Sequence, residues 1–396
     1  MNQQISQETL KKILQAVDID ELSYEEIESA FLEEESIKDY IPDGICQVDP
    51  RNGDRIVYNT ARAHRPHDNV PVDEIEEPAF SNQDCAICSG KTTGVLDYAE
   101  LSEGFTFINK NLYPIHYPTD GSERYPTDYG KQSPKPDGIP THGLHFLQWT
   151  SSFHDRDWHN MPLADRVIVL ERLGALERKL LTGSEHKMPP TKSIGGQTEK
   201  RGYVSIIKNQ GRLVGGSLVH GHQQIGFSNV MPGKFRRHWL FSKQRGENFA
   251  SYLLRLNPDH LTIQDYGPAV LLVPYFMRRP YEMYLVLKDT SKQYLHELNE
   301  GELSAVADGW HDAILAILRV MPKIGRETAY IVTAINGPGA GLYFEFLPYT
   351  QETGGMEHLG LYLCQGNPDL SASHIRQILD VDPEEEMGVD SLESAT

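Results

Sequence analysis

Gly215-Gly216-Ser217-Leu218-Val219-His220-Gly221-His222-Gln223-Gln224 is a glycine turn that runs into His-x-His-x-Gln. In an extended strand, residues two apart point to the same face. His220, His222 and Gln224 are therefore expected to line one wall of a site just beyond the bend. Upstream stands Cys85-Ala86-Ile87-Cys88, a pair at metal-ligand spacing in a chain with four cysteines. Together, these features point to a zinc-organised site that handles phosphates with a histidine nucleophile.

Outward from this stretch the chain divides into segments. Residues 203–207 read as the strand that leads into the turn, 163–181 as a helix and 143–150 as a strand. Beyond about residue 231 the order returns: strands at 269–274 and 282–287, a helix at 303–320, and strands at 329–333 and 341–346. This repetition predicts an α+β fold from a diverged internal duplication, with one half at 44–230 and the other at 231–380. Residues 1–43 read as an acidic, solvated helical extension, residues 117–141 as a long loop and 381–396 as an acidic disordered tail.

Composition narrows the function. The 396 residues can bury a large core, and 39% hydrophobic with 23% charged residues is ordinary for a globular protein. Lys plus Arg is 37 against 56 for Asp plus Glu, a net charge of −19 that repels nucleic acid and anionic lipid. No apolar run is long enough to span a membrane, and residues 1–7 carry no basic stretch or apolar signal core. Cys46 and Cys364 are isolated and Cys85/Cys88 form C-x-x-C, which is not a disulfide framework; the expected compartment is the reducing cytoplasm.

Three groups of residues carry chemistry. Zinc needs four Cys or His ligands; Cys85 and Cys88 supply two from one turn, and His220 and His154 are candidates for the others, with His159 as the substitute for His154. The turn from Asn209 to Ser217 offers backbone N–H groups and a hydroxyl to phosphate oxygens, with Lys208 and Arg212 as sources of charge. A neutral imidazole can attack phosphorus when its other ring nitrogen is held as a donor, for instance by the His220 carbonyl, and Gln224 can donate to a non-bridging oxygen. The bland alternative makes His220 and His222 two ligands of a purely structural metal site. His116, His186, His260, His296 and His374 read as surface or core histidines.

The run from Asn209 to Gln224 resembles, without a gap, the active-site segment of galactose-1-phosphate uridylyltransferases, a branch of the histidine-triad superfamily. The resemblance implies two histidine-triad-like halves with antiparallel sheets and flanking helices. It makes His222 the nucleotidylated residue, His220 a zinc ligand, Gln224 the group that holds the phosphoryl, and Ser217, Gly216 and Asn209 phosphate or nucleotide contacts. Other motifs match in chain order. Asp49-Pro50-Arg51 with Arg62-Ala63-His64-Arg65-Pro66 resembles an arginine motif that would place Arg62 and Arg65 on phosphates. Cys85 and Cys88 match the zinc pair. Asn111-Leu112-Tyr113-Pro114 resembles the nucleoside turn, and Ser151-Ser152-Phe153-His154 the segment of the remaining zinc histidine. A homodimer is implied as well.

The chain departs from that pattern at Gln223, where the family usually has glycine. Tyr343-Phe344-Glu345 stands where it often has His-x-His, and Tyr362 where an acidic residue binds the hexose. Galactose specificity is therefore not implied. The expected activity is transfer of an NMP group between a nucleoside diphosphate sugar and a sugar phosphate. The alternatives are phosphorolysis or hydrolysis of a nucleoside diphosphate sugar or dinucleoside polyphosphate, and a zinc-scaffolded nucleotide-binding protein without turnover.

Overall fold

Apolar side chains at every second position of the central strands turn one face of a sheet toward helices. Val204 and Ile206 do this on one strand, and Ile225 and Phe227 on its neighbour, all fully or almost fully buried. A computed structural model describes residues 3–49, 52–64, 85–118, 139–184, 191–192, 198–199 and 202–380. The strands are β1 (Ile45–Val48), β2 (Arg55–Tyr58), β3 (Val95–Glu100), β4 (Phe105–Lys110), β5 (Ile139–Pro140), β6 (Gly143–Trp149), β7 (Thr191–Lys192), β8 (Thr198–Glu199), β9 (Tyr203–Gln210), β10 (His222–Ser228), β11 (Thr262–Asp265), β12 (Ala269–Leu272), β13 (Met283–Leu287), β14 (Tyr330–Ile335) and β15 (Tyr343–Pro348).

Ten of them form one antiparallel sheet in the order β11-β12-β13-β15-β14-β9-β10-β6-β4-β3. Its two halves repeat one arrangement. β3, β4 and β6 precede the helix Leu163–Gly183, which β9 and β10 follow; β11, β12 and β13 precede the helix Glu300–Lys323, which β14 and β15 follow. The halves meet where Lys208 of β9 pairs with Val332 of β14. The fold is thus α+β, with a large antiparallel sheet and flanking helices.

The two long helices lie on the same face of the sheet and share its core. In Glu300–Lys323, Leu303, Val306, Trp310, Ile314, Ile317 and Val320 recur every three or four residues and are all buried. Each contributes roughly 1.5–3 kcal/mol of hydrophobic stabilisation. The helix starts at a capping box, in which Asn299 Oδ1 accepts the Glu302 N–H and Glu302 Oε2 accepts the Asn299 N–H.

The N-terminal helices are acidic as expected but are not solvated all round. Gln7–Ile13 buries Leu10, and Tyr24–Leu32 buries Tyr24, Ile27 and Phe31. The Phe31 ring meets Phe146 edge-on, and Tyr24 meets Phe227. Their acidic groups are used too: Glu34 pairs with the buried Lys110 at 2.7 Å, and Asp18 with Arg172 at 2.7 Å. Burying this apolar stripe outweighs the cost of closing over so many carboxylates. Most of the long loop expected at 117–141, and the tail at 381–396, fall outside the described residues. No helix among the described residues is long and apolar enough to cross a membrane.

Candidate active site

The structure shortens the expected strand at its start. β10 begins at His222, so His220 lies ahead of the strand and turns toward the thiols. Within β10, His222, Gln224 and Gly226 share the face opposite Ile225 and Phe227. On that face they stand across from Trp149, Leu147 and His145 of β6, register partners of 222, 224 and 226. The His222 ring lies against Trp149 with centroids 5.0 Å apart. The Trp149 indole N–H donates to Asn109 Oδ1 at 2.8 Å, which fixes the surface under the imidazole.

His222 is 4% exposed. Its Nδ1 lies 2.8 Å from the His220 carbonyl, so Nδ1 carries the proton and donates it. No hydrogen bond among the described residues engages Nε2. Burial, with help from the Lys208 charge, pushes the imidazole down to about 4. The ring is therefore neutral near pH 7, with a lone pair on Nε2. Gln224 is half-buried beside it.

Before β10, the phosphate-type turn closes by hydrogen bonds from the Gly215 N–H to the Arg212 carbonyl and from the Gly216 N–H to the Gly211 carbonyl, each 3.0 Å. Ser217 is buried at 8% exposure. Asn209 Oδ1, at the foot of the turn, is buried without a hydrogen-bond partner among the described residues. The two cations expected to serve the turn do not. Arg212 faces solvent and pairs with Glu327 at 2.9 Å. Lys208 is fully buried on the opposite face of the sheet, because strand alternation carries 204, 206 and 208 to the helix side.

Cys85, Cys88, His154 and His220 come together with ligand atoms all within 4.8 Å of one another. His220 Nδ1 lies 3.7 Å from Cys85 Sγ and 3.5 Å from Cys88 Sγ, and His154 Nδ1 lies 3.7 Å from Cys88 Sγ. Zinc–sulfur and zinc–nitrogen bonds of ordinary length make tetrahedron edges of about 3.6 Å, so the donor set fits a four-coordinate zinc. His220 Nε2 donates to the Ser151 carbonyl at 2.8 Å, the outer partner that fixes a ligating imidazole. Burial resists charging Cys85, but hydrogen bonds from His154 and His220 more than offset it and bring the thiol down. Burial and the adjacent Cys85 thiolate push Cys88 up. Holding both sulfurs as thiolates would need a cation between them. His159, the substitute ligand, is not part of this cluster.

The nucleoside-type turn lies nearby in the sheet. Asn111 Oδ1 accepts the Tyr113 N–H at 2.9 Å, and its Nδ2 lies 3.4 Å from His145 Nε2. The Ile115 N–H donates to His145 Nδ1 at 3.0 Å. Arg62 reaches this turn through Nη1, which donates to the Tyr113 carbonyl at 2.6 Å. Arg65 and Arg51 lie outside the described residues. Sequence reasoning missed His145 and Trp149. The alternation His145, Leu147, Trp149 along β6 was the signal that could have found them.

In the second half, Tyr343 and Glu345 occupy the equivalent strand and are both buried. Tyr343 Oη lies 2.7 Å from His238 Nε2, and Lys234 pairs with Glu345. The described residues hold no second cluster of metal-type ligands there. Tyr362 is half exposed beneath the Arg278 guanidinium, 4.7 Å from the ring centre.

Known proteins were compared with this geometry. A solved uridylyltransferase is similar over 85% of this chain and 98% of its own, with a TM-score of 0.62 and 19% identity. An ADP-glucose phosphorylase from Arabidopsis thaliana, solved with bound ADP-glucose, is similar over 85% of this chain and 98% of its own, with a TM-score of 0.57 and 16% identity. In sequence, an ADP-glucose phosphorylase of Arabidopsis thaliana is 26% identical over 101 residues, 25% of this chain and 29% of that protein. The aligned stretch thus spans under a third of that relative. No family model matches the chain. The protein has the fold of the uridylyltransferase-like structures, as the motifs from Asn209 to Gln224 had implied.

Proposed function

We propose that the protein is a nucleotidyltransferase that moves an NMP group from a nucleoside diphosphate sugar to a sugar phosphate through a nucleotidyl-His222 intermediate. The observation that carries this reading is the His222 imidazole. It is buried and neutral, with Nδ1–H tied to the His220 carbonyl and Nε2 without a hydrogen bond among the described residues. His238 is also buried, pushed down to about 4 and tied by Nδ1 to the Lys234 carbonyl, but its Nε2 is engaged by Tyr343. The open Nε2 is what sets His222 apart.

The step balances without a proton. The Nε2 lone pair forms a bond to the α-phosphorus as the bond from that phosphorus to the bridging oxygen breaks, and sugar 1-phosphate leaves with the electron pair. An oxygen of the acceptor phosphate then attacks the same phosphorus, and the P–N bond electrons return to Nε2. Splitting the transfer into two in-line steps lowers each barrier. Gln224 would donate to the non-bridging oxygens as charge builds on them. Ser217 Oγ and Asn209 Nδ2 would donate to phosphate oxygens, and Gly216, whose N–H is spent on the Gly211 carbonyl, would keep the turn tight enough to admit them. Asn111 would hold the nucleoside end, and Arg62, which reaches the Tyr113 carbonyl of that turn, and Arg65 would neutralise phosphates.

Cys85, Cys88, His154 and His220 would hold zinc, which supplies folding energy and a fixed position for the residue two before the nucleophile. A second copy of the chain would cover Leu359, Leu361 and Leu363, exposed at 82%, 54% and 56%, in a homodimer. The cytoplasm suits a chain that would keep two thiolates for zinc.

A second reading has inorganic phosphate as the acceptor, and the likeness to an ADP-glucose phosphorylase in both sequence and fold favours it. One experiment serves both. The zinc-loaded protein is mixed with UDP-glucose, ADP-glucose or GDP-glucose labelled at the α-phosphorus. Acid-labile label on wild-type protein and none on His222→Ala is expected. Release of that label as a nucleoside diphosphate on adding phosphate identifies phosphorolysis; release only with a sugar phosphate identifies the transferase. No label from any donor would overturn the covalent mechanism.

A further inference from the structure

Two charged side chains lie behind the nucleophile, on the far face of the sheet. Lys208 is fully buried there, and its Nζ sits 2.6 Å from Asp157 Oδ2 and donates to the His222 carbonyl at 3.4 Å. Asp157 is 8% exposed and is held by its own N–H, which donates to Asn160 Oδ1 at 2.8 Å. Its carboxyl presses on Gly221, where a Cβ would come within 2.6 Å of Asp157 Cγ. Only glycine lets the pair approach the backbone this closely.

The pair therefore grips the chain on both sides of the bond that joins Gly221 to His222. The neighbouring carbonyls are engaged as well: that of Gly221 accepts the Thr150 N–H at 3.0 Å, and that of His220 accepts from His222 Nδ1 at 2.8 Å. Three successive carbonyls thus each have a partner, and the ring they carry has little freedom. Stability alone does not explain the charges. Desolvating a buried ion pair offsets most of its attraction, and apolar residues of the same volume serve stability as well. An apolar pair would not, however, tie down the His222 carbonyl.

We propose that the Lys208–Asp157 pair is a positioning device for His222, holding the Gly221–His222 backbone and, through the His220 carbonyl, the tautomer that leaves Nε2 free. Neither residue touches the reacting atoms. The consequence for rate rests on the nucleotidyl-transfer reading; the consequence for the tautomer does not.

Removing one partner alone strands a buried charge, so both are replaced. Lys208→Met/Asp157→Leu is expected to keep the wild-type melting temperature and zinc content. Single-turnover labelling should slow on the order of 10²-fold, with the dissociation constant for the nucleotide sugar unchanged. Ring ¹⁵N shifts of His222 should change from one Nδ1–H tautomer to a mixture. Lys208→Gln/Asp157→Asn keeps a donor for the carbonyl without the charges and should label within about tenfold of wild type. Wild-type labelling with a wild-type tautomer in the apolar double variant would overturn the proposal. So would a loss on the order of 10²-fold in the Gln/Asn variant, an outcome that decides the case even if the apolar variant fails to fold. If wild-type protein takes no label from any donor, the transfer reading fails by itself, and the tautomer measurement still tests the pair.

Discussion

β10 and β15 hold the same place in the two halves of one sheet, yet they face different surroundings. Ahead of β10 the turn is open at Gly215, where nothing lies within 4 Å of a Cβ, and a Cβ at Gly216 would meet only the turn's own backbone, 2.8 Å from the Gly211 carbonyl oxygen. Ahead of β15 the turn is filled, since a Cβ at Gly339 would meet the His238 carbonyl at 2.7 Å, on the helix Gly233–Arg245. On β10 the outward polar group, His222 Nε2, has no partner among the described residues. On β15, Tyr343 is bonded to His238, and Glu345 is paired with Lys234. A shared fold can carry chemistry only where polar groups are left unspent and space is left beside them. The second half spends its polar groups on itself.

The largest effect that can break this contrast is on rate. Gln224→Ala should slow single-turnover labelling on the order of 10²–10³-fold, because a donor to the developing charge is lost. Tyr343→Phe, on the equivalent strand, should leave labelling unchanged. Equal losses in the two variants would remove the asymmetry between the halves.

The next effect concerns metal and folding. Cys85→Ser should release zinc and lower stability by several kcal/mol, since metal binding is part of the folding free energy. Cys364→Ser, in the second half, should leave the zinc content at the wild-type value. Metal analysis of the purified proteins and their urea midpoints give both answers. A Cys85→Ser protein that keeps a full zinc complement would exclude the proposed ligand set.

A smaller effect follows from the depressed imidazole. Between pH 6.5, the ordinary histidine value, and about 4, folded His222 binds fewer protons than it does in the unfolded chain. Its contribution is therefore fully present above pH 6.5 and is lost as pH falls through that window. In His222→Gln that loss is absent. The pH slope of unfolding free energy should then be shallower by up to one proton, about 1.4 kcal/mol per pH unit. Urea unfolding of the two proteins across the window measures it, and identical slopes would contradict a neutral, buried ring. The smallest effect is stability in the second half: Tyr343→Phe should cost about 1 kcal/mol for the bond to His238.

Much of this was legible in the chain itself. Residues 203–207 and the His-x-His-x-Gln run read as strands and 303–320 as a helix, because one-sided burial leaves its period in the sequence. C-x-x-C with His-x-His supplied the four metal-type ligands, since ligand chemistry restricts residue type. Charge was less legible. Lys208 and Arg212 flank the turn and could supply charge to it, but strand alternation turns Lys208 to the other face and Glu327 pairs with Arg212, neither of which the local sequence shows.

What the sequence alone determined was local: element types, the α+β class, the ligand pair, and a histidine two residues from another. These follow from periodicity and side-chain chemistry, which act over a few residues. Only the tertiary structure decided that His220 and His222 part company at the start of β10, that Trp149 lies beneath the imidazole, that Lys208 pairs with Asp157 behind it, and that the acidic N-terminal helices belong to the core. Each of these depends on groups distant in the chain meeting in space. Their energy comes from burial and pairing, which no single segment contains.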